Sequence, residues 1–166
     1  VTRLSSGLAS IGVAEGDKVA VLARNSHGFA ALRFALARRG AVMVPINFML
    51  KADEIAYILR HAGAKTLATD SGLAEMAQAA SQLDTQVTQF ILLPSEDPSQ
   101  PVVGMHNFDT LAACTDAIPD VHFGSSAVAQ LVYTSATHSS PSLLPPSAAA
   151  DDLLLLARCP RRILTQ

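Results

Sequence analysis

The densest run of groups able to touch a ligand is Thr134-Ser135-Ala136-Thr137-His138-Ser139-Ser140, which follows the apolar stretch at residues 129–133. Thr134, Ser135 and Thr137 set hydroxyls just beyond an expected strand. Residues 136–166 contain neither glycine nor lysine. On spacing alone the run reads as a plain Ser/Thr-rich loop after a strand.

Other chemistry has less support. His27, His61, His106, His122 and His138 form no pair at helical metal-ligand spacing, and His27 and His61 read as surface groups at the two ends of helices. Cys114 and Cys159 match no metal-ligand spacing and read as ordinary reduced thiols. No Gly-x-Ser-x-Gly elbow supports a nucleophilic serine. No Gly-x-Gly-x-x-Gly follows a strand, so a dinucleotide site is not indicated.

The elements that must position any such loop alternate along the chain. Leu4, Leu8 and Ile11 recur at helical spacing before Gly12. The unalternating apolar run at 19–23 suits a strand covered on both faces. Phe29, Leu32 and Leu36 mark a helix closed by Gly40, and residues 41–45 a second strand. Ile55, Ile58, Leu59 and Ala62 line a third helix ending at Gly63. Its start is poorly capped, because Lys51 stands where Ser, Thr or Asp would serve best; Asp53 and Glu54 compensate through the positive helix terminus. Strands at 65–69 and 87–93 flank a helix at 73–83, an exposed loop occupies 94–101, a short helix lies within 107–113, and a further strand covers 129–133. Residues 148–158 are a candidate helix. Strand–helix–strand repetition implies right-handed crossovers and an α/β fold with a mostly parallel sheet flanked by helices.

Composition narrows the setting. The 166 residues are 49% hydrophobic and only 16% charged, against about 25% charged in typical soluble domains. That shortage of charge suggests apolar surface meant to meet more protein. The net charge of −2 comes without a Lys/Arg cluster and argues against nucleic acid as a partner. Arg33, Arg38 and Arg39 break the best apolar stretch, so no transmembrane segment is expected, and no signal peptide precedes Glu15 and Asp17. A cytoplasmic chain with possible peripheral membrane contact is the expectation.

Three stretches together resemble the AMP-dependent synthetase and ligase family, particularly its fatty-acyl-CoA ligases. They are Gly12-Val13-Ala14-Glu15-Gly16-Asp17-Lys18-Val19-Ala20-Val21; the segment from Asn25 through Val44-Pro45-Ile46-Asn47 and Asp53-Glu54-Ile55-Ala56-Tyr57-Ile58-Leu59 to Asp70; and Gln130-Leu131-Val132-Tyr133-Thr134-Ser135. The resemblance implies a two-step reaction. A carboxylate attacks the α-phosphate of ATP to give an acyl-adenylate and pyrophosphate, and the thiol of CoA then displaces AMP. ATP, Mg and CoA are the implied cofactors, and a fatty acid the implied substrate.

In that family the strand leads into Tyr-Thr-Ser-Gly-Thr, a few variable residues, then Pro-Lys-Gly. Thr134, Ser135, Thr137 and Pro141 fall on matching positions, so Thr134, Ser135 and Thr137 are the candidate phosphate-contacting residues of a degenerate loop. Ala136, Ser142 and Leu143 stand where the family has glycine, lysine and glycine. No later family contact is matched, and the chain opens inside what resembles the first helix. The expectation is therefore a truncated ligase homologue: residues 1–135 a partial AMP-binding subdomain, residues 136–166 a divergent tail, none of the cofactors bound well, and no catalysis by this chain alone. The alternative is a non-catalytic interaction module that pairs with a complementary ligase fragment, or with itself, through exposed apolar surface.

Overall fold

The computed structural model describes residues 1–95, 102–116 and 127–133, together with the backbone of 154–158. In chain order the elements are α1 (Thr2–Ser10), β1 (Lys18–Leu22), α2 (His27–Arg39), β2 (Val42–Pro45), α3 (Ala52–Ala62), β3 (Thr66–Asp70), a 3-10 turn (Ser71–Leu73), α4 (Ala74–Ser81), β4 (Gln89–Leu93), β5 (Met105–Asn107), α5 (Phe108–Ala112), β6 (Val128–Tyr133) and β7 (Leu154–Arg158).

The strands form one sheet in the order β5-β4-β3-β1-β2-β6-β7. Strands β1 to β6 pair parallel with their neighbours, and β7 closes the row antiparallel to β6. The central strand β1 explains the apolar run read from the sequence. Val19 and Val21 enter one core cluster with Leu8, Leu32, Leu36 and Phe108. Ala20 and Leu22 enter the other, with Ile55, Leu59, Ala77 and Ala80. Alternate residues of a strand face opposite sides, so a strand buried on both sides cannot show a polar face.

Helix ends are set by local chemistry. Ser26 caps α2 by accepting from the Phe29 amide at 3.2 Å. Gly40 and Gly63 end α2 and α3 at φ of 69° and 65°, a left-handed conformation that favours glycine. The start of α3 is better held than expected, because the Glu54 carboxylate accepts from the Lys51 amide at 2.9 Å. That is the glutamate half of a capping box.

Two features differ from the sequence reading. The candidate helix at 148–158 is overturned where it is described: Leu154–Arg158 is a strand, its backbone pairing with β6 from Val128↔Arg158 to Tyr133↔Leu154. A run of consecutive leucines has no helical polar face, and the outer edge of β6 offers unpaired backbone groups that a strand satisfies. The strand β5 was not foreseen, since three residues are too few for alternation and its last, Asn107, also caps α5 by accepting from the Asp109 amide. Residues 96–101 of the expected loop lie outside the described residues.

Candidate functional site

A parallel sheet gathers its loops at the carboxyl ends of the strands, and ligands of such folds bind where successive connections leave in opposite directions. Here α2 leaves β1 toward β2 on the face of the first core cluster, whereas α4 leaves β3 toward β4 on the other. The crevice between the ends of β1 and β3 is therefore the first place where the topology could seat a ligand.

The protein fills that crevice with its own groups. Asp70, the last residue of β3, is 3% exposed. One carboxylate oxygen accepts from the Arg24 amide at 2.8 Å, just beyond β1. The other accepts from the Leu73 amide at 3.1 Å and lies 3.6 Å from the Arg24 guanidinium. Hydrogen bonds to a charged acceptor contribute about 1.5–3 kcal/mol each, so the aspartate clamps β1 to the 3-10 turn. A side chain at Gly72 would bring its Cβ within 2.8 Å of that guanidinium. Beside it the Ser71 and Ser95 hydroxyls lie 2.9 Å apart. Arg24, itself exposed, projects over the Phe48 ring at 5.9 Å from its centroid. The crevice is closed by a structural bridge.

The second place is the exit of β6. This strand lies beside β2 in register Met43↔Gln130, and Leu131 and Tyr133 pack on the core cluster that α3 and α4 cover. Tyr133 is its last residue. The Tyr133 hydroxyl lies 2.7 Å from Nδ1 of His61, in the last turn of α3. Burial pushes the Tyr133 phenol above its ordinary value of 10, and the nearby Tyr57 adds to the rise. Thr134, Ser135 and Thr137 continue from this point in sequence but lie outside the described residues, as do His122, His138 and Cys159. Of the remaining histidines, His27 meets the Phe108 ring edge-on at 6.2 Å, and His106 is exposed on β5.

Among the described residues no group of three or more His, Cys, Asp or Glu could hold a metal. The buried carboxylate at the carboxyl edge, Asp70, has both oxygens engaged. A second depression, of about 410 Å³, opens at the amino ends of the strands between Gly12, Lys18, Gly63, Lys65 and Gln89, opposite the edge where β6 ends. Among the described residues no helix is long and apolar enough to cross a membrane. Sequence reasoning missed the Asp70 clamp and the His61–Tyr133 bond, since both join residues far apart in the chain.

Comparison with known proteins sets this arrangement in context. A family model described as AMP-binding enzyme matches residues 1–142. A crotonobetaine/carnitine–CoA ligase of Escherichia coli is 32% identical over 146 residues, covering 85% of this chain and 28% of the relative. A feruloyl-CoA synthase of an Amycolatopsis species is 31% identical over 141 residues, covering 85% of this chain and 25% of that protein. Among solved structures, a long-chain-fatty-acid-CoA ligase from Archaeoglobus fulgidus superposes with a TM-score of 0.70 at 27% identity, over 82% of this chain and 26% of its own. A Mycobacterium tuberculosis fatty acyl CoA synthetase does so with a TM-score of 0.65 at 31% identity, over 81% and 25%. The chain thus spans about a quarter of the length of the curated relatives it matches.

Proposed function

Since this chain belongs to the AMP-binding enzyme family, we propose that residues 1–135 are the front of the nucleotide-binding part of an acyl-CoA ligase of fatty-acid type, with residues 136–166 a divergent tail. The reaction proper to that reading is activation of a fatty acid by ATP to an acyl-adenylate, followed by transfer to CoA. The observation that carries it is the placement of β6. The parallel sheet sets this strand beside β2 with Tyr133 at its carboxyl end, where the hydroxyl-bearing residues Thr134, Ser135 and Thr137 begin. The relatives named above act, by their names, on acids as different as carnitine, ferulate and long-chain fatty acids, so the family supports acid activation more strongly than any one acid.

As a 166-residue chain this protein does not catalyse that reaction. Ala136 stands where the matching loop has a glycine, and a left-handed conformation there costs an L-residue about 1–2 kcal/mol. Ser142 replaces the lysine. Losing one preorganised donor to developing charge lowers a rate on the order of 10²–10³-fold. The engaged Asp70 adds no metal ligand. Purified chain mixed with ATP, magnesium and a fatty acid releases no pyrophosphate, and ATP leaves its melting temperature unchanged. Pyrophosphate release by the unaltered chain would overturn the inactive reading.

A second reading, an interaction module, is favoured by one observation. Met49 and Phe48, in the loop after β2, are 80% and 46% exposed although both are large and apolar. Their loop is at the same edge as the exit of β6.

A further inference from the structure

The chain holds two tyrosines and no tryptophan, and both tyrosines contact one histidine. Tyr57 and His61 lie four residues apart on α3, with ring centroids 5.9 Å apart and planes 24° from parallel. From the sheet side Tyr133 meets the same imidazole edge-on, centroids 5.6 Å apart at 90°, and its hydroxyl reaches His61 Nδ1 at 2.7 Å. The bond spans 72 residues of sequence and ends on the last residue of β6.

The last turn of α3 is a firm support for such a bond. Gly63 closes the helix in a left-handed cap, and the Arg60 guanidinium donates to the Leu83 carbonyl beyond α4 at 2.6 Å. On the core side Ile58, Leu59 and Ala62 are buried in the second cluster. Toward β2 the ladder is registered at Met43↔Gln130, three residues before Tyr133, and on the other side Tyr133 pairs with Leu154 of β7. A side-chain bond from a fixed helix to the strand's final residue fixes where the strand ends.

We infer that His61 is a positioning residue that latches the end of β6, the strand that leads in sequence into the segment starting at Thr134. The inference rests on reading that segment as the ancestral phosphate loop. In the neutral imidazole with its proton on Nε2, Nδ1 accepts from the Tyr133 hydroxyl, and the stacked Tyr57 ring limits rotation of the imidazole. A shared side-chain bond of this kind holds a strand end against local opening without adding much to global stability.

Hydrogen–deuterium exchange on the full chain tests the latch without any nucleotide. His61→Leu removes the acceptor, whereas His61→Asn keeps one, since the amide oxygen of asparagine occupies nearly the place of Nδ1. Expected are amide exchange about fivefold faster at residues 131–135 in His61→Leu, a change confined to that segment, and near-normal rates in His61→Asn. Tyr133→Phe reproduces the effect, and the double variant His61→Leu/Tyr133→Phe adds nothing further. In a Tyr57→Phe background, emission comes from Tyr133 alone and changes on going from His61 to Leu. Unchanged exchange at 131–135 in His61→Leu overturns the latch, and so does acceleration spread evenly over the molecule. Both outcomes are independent of ATP, so a failed ATP assay leaves the latch standing, and a failed latch leaves the reading of the loop intact.

Discussion

Tyr133 carries a phenol that is partly out of water, and this fixes a direction of pH dependence. Burial and then Tyr57 raise its pKa above 10, so the folded protein holds that proton more tightly than the unfolded chain does. The resulting stabilisation is complete below the unfolded value and is lost as pH rises through the higher folded one. In a Tyr57→Phe variant the tyrosinate absorbance reports Tyr133 alone, because no other tyrosine remains. Its midpoint is expected above 10, with the urea unfolding midpoint falling as pH climbs past that of a free tyrosine. A titration midpoint at or below 10 refutes the burial argument. Removing Tyr57 does not undo the rise, since burial is the larger cause.

At the scale of elements, α1 shows how one helix can be held by close backbone approach and strained by a misplaced polar atom. Gly7 faces the backbone of Leu111 in α5, and a Cβ there would collide with the Leu111 carbonyl. Backbone cannot swing aside as a side-chain tip can, so Gly7→Ala is expected to cost about 1–3 kcal/mol, despite the better helix propensity of alanine. Two residues earlier the Ser5 hydroxyl is fully buried and has no hydrogen-bond partner. Ser5→Ala removes that unsatisfied group without changing shape much, and a gain of about 1 kcal/mol is expected. Urea melts of the two variants should move in opposite directions, and parallel shifts would contradict the packing account. The same contrast explains what could be read in advance. Gly40 and Gly63 ended helices on schedule because a left-handed cap is local chemistry. The spacing Lys51-x-x-Glu54 held a readable half-box that the poor capping residue obscured. Gly7 against Leu111, Asp70 on Arg24, and His61 on Tyr133 depend on which strands become neighbours. The order β3-β1-β2-β6 is not written in any local window. Leu154–Arg158 misled in the other direction: its uniform apolarity already fitted a helix poorly, and the open edge of β6 is what makes it a strand.

For the whole molecule the question is what meets the apolar surface. Two packed clusters, one on each face of the sheet, account for the buried leucines, valines and isoleucines, yet Phe34, Phe48, Met49 and Val103 remain large and exposed. With 16% charged residues and a net charge of −2, long-range repulsion between copies is weak, and little polar surface is available to dilute these patches. Phe48 and Met49 are neighbours in one loop, whereas Phe34 lies on α2 and Val103 in the turn before β5. Two copies of this loop brought together would remove both side chains from water, each worth about 1.5–3 kcal/mol when fully buried. Sedimentation velocity is therefore expected to show mass above the 17.4 kDa monomer as concentration rises. Phe48→Ser/Met49→Ser should return the chain to a monomer, while Phe34→Ser does not. Association that survives the double change places the contact elsewhere, and a wild-type chain that stays monomeric throughout removes self-pairing. Addition of a complementary ligase fragment then becomes the direct test, because a heterologous partner using the same loop competes with self-association and is lost with the same two substitutions.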